Sequence, residues 1–167
     1  SIYTPTCSLI YPIIANKLID SPHHAARFVS LIPFQRLEDF NSSRVEIWHS
    51  LQAFLSRGWG DAEDHSVLLC NLLLGFGLET YICVGTNYEG AHTWVMTFDY
   101  TDGSGKPKIT FWESLTGQKL KLGDPRIKNF YKTIDWVFNN KYLYANIQPD
   151  NLVKNTIIDL NDDGLWK

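Results

Sequence analysis

The sequence predicts an α+β fold, a central buried helix packed on an antiparallel sheet, and three features carry the prediction. The first is a change of period. Before residue 77 apolar residues recur at helical steps of three and four; from Glu79 onward they alternate as on a strand. The second is residues 60–77, read as one helix that is apolar nearly all round from Val67 to Leu74. A helix without a wet face is a core element. The third is Asp102-Gly103, among the strongest two-residue hairpin signals, set between two alternating runs.

The elements follow in order. Residues 2–14 are apolar and marked by Pro5 and Pro12, an extended segment laid on the core. Ser21 caps a helix with Pro22 at its first position, Ala26, Phe28 and Val29 on its apolar side, and Pro33 as its stop. Asn41-Ser42-Ser43 caps a second helix over 44–56, with Ile47, Trp48, Leu51, Phe54 and Leu55 on one face and His49 on the polar side. In the central helix Asp61 is the N-cap and Asp64 reaches back to it, while Gly75 and Gly77 close the far end. Strands follow over 79–86, 92–100 and 108–114, then a hairpin of 133–138 with 142–147, and a short strand over 156–160. If Asp102 and Gly103 are the whole turn, His92 faces Glu113, with Trp94, Met96, Phe98, Ile109 and Phe111 on the same side. A loop longer by two residues keeps the faces and slides His92 by one pair.

Length and composition bound the function. The 167 residues suit one domain. No run approaches the roughly 18 apolar residues of a membrane span, and the opening residues lack the basic start of a signal peptide. The abrupt start suggests a domain cut from a longer protein. Cys7, Cys70 and Cys83 have no metal-ligand spacing, and two lie in apolar segments, which favours free thiols in a reducing, intracellular setting. His23 and His24 are adjacent and point about 100° apart on a helix, a poor metal pair. Residues 159–164 open like a calcium loop, but the glutamate expected at its twelfth position would fall past Lys167. No metal or cofactor is expected. Net charge is −3, yet residues 106–132 hold seven basic and two acidic side chains, so this segment carries +5 and the remainder −8. Such a segment is either a solvated face or a landing surface for an acidic partner.

Gly60-Asp61-Ala62-Glu63-Asp64, His92-Thr93-Trp94-Val95 and Trp112-Glu113 resemble the transglutaminase-like fold, a branch of the papain-like cysteine hydrolases. Its pattern is Gly-Asp-Cys-x-Asp at a helix start, His-x-Trp-Val on a strand and Trp-(Asp/Glu) on the next. The resemblance implies a nucleophile at position 62, a base at His92 and an orienting carboxylate at Glu113. Position 62 is alanine. A cysteine there would have its thiolate stabilised by the helix N-terminus; alanine keeps the backbone and removes the chemistry. Glu63 and His65 in the same turn are candidate ligand contacts. Cys70, two turns deeper, is core.

Residues 69–77, 92–97 and 111–117, together with 28–33 and 159–162, look like the family of the centrosomal protein of seventy-six kilodaltons, in which this domain lies beside C2-type domains. That resemblance implies a centriole or cilium-base location. Two functions are open. One is a catalytically inactive scaffold or peptide-binding module, with Lys119, Lys121 and Lys128 meeting an acidic peptide such as a tubulin tail. The other is a thiol peptidase or acyltransferase whose cysteine has been replaced. The partner expected is a protein or peptide, not nucleic acid.

Overall fold

The computed structural model describes residues 6–36 and 48–167. A 3-10 turn (Thr6–Leu9) precedes α1 (Pro22–Ser30), α2 (Leu51–Arg57) and α3 (Ala62–Gly75). Then come β1 (Glu79–Asn87), β2 (Gly90–Asp99), β3 (Lys108–Trp112), β4 (Lys119–Lys121), the short α4 (Ile127–Phe130), β5 (Thr133–Phe138) and β6 (Leu143–Ala145). The strands form one sheet in the order β4-β3-β2-β1-β5-β6, and every neighbouring pair is antiparallel.

The sheet is the middle of three layers. On one face α3 and α1 pack against Ile82, Val95, Trp112 and Phe138. On the other, Tyr131, Val153, Ile158, Leu160 and Trp166 cover Cys83, Trp94, Met96 and Phe111. Both faces are dry, so β2 is buried almost continuously from His92 to Phe98. Leu69, Cys70 and Leu73 of α3 are wholly buried, and each such leucine contributes roughly 1.5–3 kcal/mol. Asn71, also wholly buried, ties the helix to the chain start: its carbonyl accepts Ile13 N–H at 2.9 Å and its Oδ1 accepts Tyr11 N–H at 3.0 Å. Leu78 N–H returns to Leu73 O and Gly77 N–H to Leu74 O, the paired bonds of a glycine-closed helix end.

Several expectations are corrected. Ser21 caps α1 as predicted, but Phe28 is exposed and Ala25 takes the buried place beside Ala26 and Val29. The second helix begins at Leu51 with Ser50 as its cap; Trp48 and His49 precede it, and the predicted cap at 41–43 lies outside the described residues. Residues 156–160 form no strand. Their backbone is partly met by Gln148, whose side chain donates to Ile157 O and accepts from Ile157 N–H. Residues 6–9 coil rather than extend. No described helix is long and apolar enough to cross a membrane.

Candidate functional site

The site lies where the first turn of α3 meets the ends of β2 and β3. Ala62 is the first residue of the helix and Asp61 its cap. The predicted capping box is formed: Asp64 N–H donates to Asp61 Oδ1 at 3.0 Å, and Asp61 N–H to Asp64 Oδ2 at 3.2 Å. Arg57 also donates to Asp64 Oδ2 at 3.0 Å. Burial, with the Asp61 charge second, pushes the Asp64 carboxyl up to about 7; the Asp61 N–H and Arg57 oppose it. Before the cap, a Cβ on Gly60 would stand 2.5 Å from Asp64 Oδ2 and 2.6 Å from the Phe54 ring. Only glycine lets the chain enter the helix so close to its own cap.

Ser66, one turn beyond Ala62, brings the helix to the strands. Its hydroxyl donates to Thr93 Oγ1 at 3.3 Å and shares a 3.0 Å hydrogen bond with Ser114 Oγ. Thr93 and Ser114 directly follow His92 and Glu113. Strand alternation turns His92 away from α3 to the opposite face of the sheet.

His92 Nε2 and Glu113 Oε2 are 2.8 Å apart, with the residues 7% and 6% exposed. Sequence predicted this neighbourhood through its register. The observed register pairs Met96 with Phe111 and Val95 with Trp112, the longer-loop alternative. Continued by one pair it sets Glu113 opposite Trp94, and His92 reaches the carboxylate diagonally. A slip of two residues keeps both on one face, which is why the contact is made. Glu113 is held by its turn: its N–H donates to Gln118 O at 2.8 Å, its carbonyl accepts Gly117 N–H at 2.8 Å, and Oε1 accepts Leu115 N–H at 3.3 Å. With Nε2 facing Glu113, His92 Nδ1 makes no hydrogen bond among the described residues.

Two aromatic residues complete the surroundings. His92 stacks near Trp94 (centroids 6.1 Å) and Tyr131 (6.2 Å), and those two stack on each other at 4.3 Å. Among the described residues the buried Tyr131 hydroxyl and Trp94 Nε1 make no hydrogen bond of ordinary geometry. Burial, then the Glu113 charge, raises the Tyr131 phenol well above its ordinary value. Tyr131 was missed in the sequence because only tertiary contact, and no spacing, links it to His92.

The remaining candidates fare differently. His65 is corrected: it is wholly buried, with Nδ1 2.6 Å from Asp61 O and Nε2 2.8 Å from Ile32 O. Both ring nitrogens serve the fold and none is left for a ligand. Glu63 is half-buried in the first turn. Lys119 and Lys121 are exposed on either side of buried Leu120. Lys119 Nζ donates to His23 Nε2 at 2.7 Å and lies 5.7 Å from the Trp112 ring centroid. Lys128 is exposed on α4, which Tyr88 holds by donating to Lys128 O at 2.7 Å.

The basic segment is thereby divided. Lys119 pairs with Trp112 at the His92 end of the sheet, and Lys132 N–H donates to Thr86 O there. Lys108 pairs with Asp99 at the other end, four residues along β3, about 13 Å away. Cys70 and Cys83 are free and wholly buried, and burial raises both thiols well above their ordinary range.

This architecture, a capped buried helix packed on an antiparallel sheet, is a transglutaminase-like, papain-like fold. Legionella pneumophila LapG in its calcium-bound form superposes with a TM-score of 0.59 at 17% identity, covering 74% of this chain and 66% of that one. The EGTA-treated form gives 0.60 at 16%, covering 78% and 68%. A family profile described as the CEP76 peptidase-like domain matches residues 46–167. Centrosomal protein of 76 kDa from Xenopus tropicalis is 46% identical over 176 residues, covering 98% of this chain and 26% of that protein; the Homo sapiens protein is 43% identical with the same coverage. Protein CC2D2B of Homo sapiens is 32% identical over 143 residues, covering 85% and 9%. The chain belongs to the CEP76 peptidase-like domain family, and several of its relatives are named Centrosomal protein of 76 kDa. It spans about a quarter of the length of the CEP76 relatives it matches.

Proposed function

We propose that this chain is a catalytically inactive peptide-binding module that keeps the hydrolase framework and works in a centrosomal or cilium-base setting, as the centrosomal names of several relatives support. The observation that carries this is the pairing of Ala62 at the helix start with an intact His92–Glu113 contact of 2.8 Å. Methyl replaces thiol, and the two neighbouring buried cysteines are held neutral, so no thiolate is supplied where the helix dipole would stabilise one. The framework is left to hold an extended chain against the end of the sheet. Lys119, Lys128 and Lys132 surround that end and favour an acidic peptide, of which a tubulin tail is one chemical example. Lys121 is a more distant contributor on β4.

A second reading has its own support. The unengaged Nδ1 of His92 is where a thiol on position 62 would give up its proton, which suits a thiol peptidase or acyltransferase that has lost its cysteine. Ala62→Cys separates the two. Rapid labelling by iodoacetamide that is lost again in the His92→Ala double variant supports a disabled enzyme. Labelling no faster than that of an ordinary exposed thiol supports a pocket long given over to binding. Acidic-peptide binding is read by fluorescence anisotropy with a labelled glutamate-rich peptide. Affinity is expected to fall about tenfold or more when Lys119, Lys128 and Lys132 become glutamate, and to weaken as salt rises. Unchanged affinity would remove the acidic ligand.

A further inference from the structure

A cleft lies on the face that carries Trp94, at the end of the sheet away from His92. It encloses about 670 Å³, within the range of side-chain and small-ligand pockets. Five aromatic residues line it: Tyr81, Phe98, Tyr100, Tyr142 and Tyr144. Four of them form a connected wall. Tyr81 meets Phe98 edge-on at 5.6 Å and Tyr144 at 6.3 Å, and Tyr144 stacks with Tyr142 at 5.9 Å. Tyr100 and Tyr142 remain 43% and 52% exposed, offering ring surface to solvent.

The rim chooses the ligand's charge. Glu79 and Asp159 both line the cleft, and neither has a cationic partner among the described residues. Glu79 Oε1 accepts the Tyr81 hydroxyl at 3.2 Å. Both carboxylates bear on Tyr100, whose phenol is raised first by burial and then by their charges. Lys106 is the single cation of the lining, and its side chain makes no ion pair among the described residues. Aromatic faces attract cations, guanidinium above all, and two carboxylates add charge-assisted hydrogen bonds.

We infer that this tyrosine-lined cleft is a second binding site, which takes the guanidinium side chain of an arginine presented by an extended peptide. Its planar cation would lie against the Tyr142–Tyr144 stack with its N–H groups toward Glu79 and Asp159. This is opposite in charge to the ligand proposed for the His92 end, so the two sites sort different segments, and each stands or falls alone.

The probe is the peptide acetyl-Gly-Ser-Arg-Ser-Gly-amide, with citrulline in place of arginine as the uncharged isostere and a proline-only pentapeptide as the apolar control. Each is titrated into the isotopically labelled chain and followed by amide chemical shifts. Saturable shifts are expected at Tyr100, Tyr142, Tyr144 and Glu79 with the arginine peptide, at least fivefold weaker with citrulline, and with His92 and Glu113 unmoved. Glu79→Gln with Asp159→Asn should weaken the arginine peptide at least fivefold, and Tyr142→Ala, at an exposed ring, should do the same without disturbing the free spectrum. Equal binding of citrulline, tighter binding of the proline peptide, shifts confined to the His92 end, or no saturable shift overturns the proposal.

Discussion

Asp64 shows how one buried side chain ties the site to pH. Its carboxyl, ordinarily near 3.8, is raised to about 7 by burial and by Asp61. Between those values the folded chain holds a proton that the unfolded chain has released. Stability is therefore fully present below about pH 4 and is lost as pH climbs through 7, with a slope of at most ~1.4 kcal/mol per pH unit. His49 is lowered by burial and by Arg57; it acts with the opposite sign, since there the unfolded chain binds more protons. The comparison that isolates Asp64 is the urea stability of the parent and of Asp64→Asn at pH 4.5, 5.5 and 6.5. The variant removes the titrating proton, so its stability should fall less with pH than the parent's. Equal slopes would show that Asp64 is ionised throughout.

At the scale of elements, β1 is distorted where it passes the site. Gly85 pairs with His92 on one side, and on the other the β1–β5 register shifts between Val84 and Gly85. A Cβ on Gly85 would fall 2.0 Å from Thr133 O, a backbone atom that cannot swing aside. Gly85→Ala is expected to cost about 1–3 kcal/mol and to shift the His92 ring resonances; a variant of parental stability would show that β5 yields freely. Nothing in the sequence announces this close approach. What was legible there followed from pattern: the capped, all-apolar α3, the alternation of β2 and β3, and a turn signal that fixed the parity of His92 and Glu113 though not their register. What was not legible was short or tertiary. β4 and α4 span three and four residues, less than a pattern needs to declare itself. Residues 156–160 alternate like a strand because Ile158 and Leu160 pack beneath the sheet, while Gln148 takes the place of a neighbouring strand. Ala62 itself was visible only through the motif around it, and His65 looked like a ligand contact because burial by Ile32 is invisible along the chain.

At the scale of the whole molecule, the charge of residues 106–132 is shared between two ends of one sheet, and a tally by sequence overstates any single patch. The ends differ in chemistry: the His92–Glu113 pair with Lys119 on the neighbouring edge strand at one, tyrosines with Glu79 and Asp159 at the other. Between them the sheet is covered on both faces, and β1 and β2 also have a strand on either edge. Water therefore has no partial route to their amides. In deuterium oxide, Ile82, Cys83, Trp94, Val95 and Met96 should exchange only when the entire domain opens, with one shared protection free energy equal to that of denaturant unfolding. Lys121 and Leu143, on the rim strands, should exchange orders of magnitude sooner. Early labelling at Val95 would show that the helical layer lifts from the sheet by itself. If it does not, the clock for the interior of this domain has one hand, and a peptide that binds either end would slow it by stabilising the whole rather than by shielding the amides it touches.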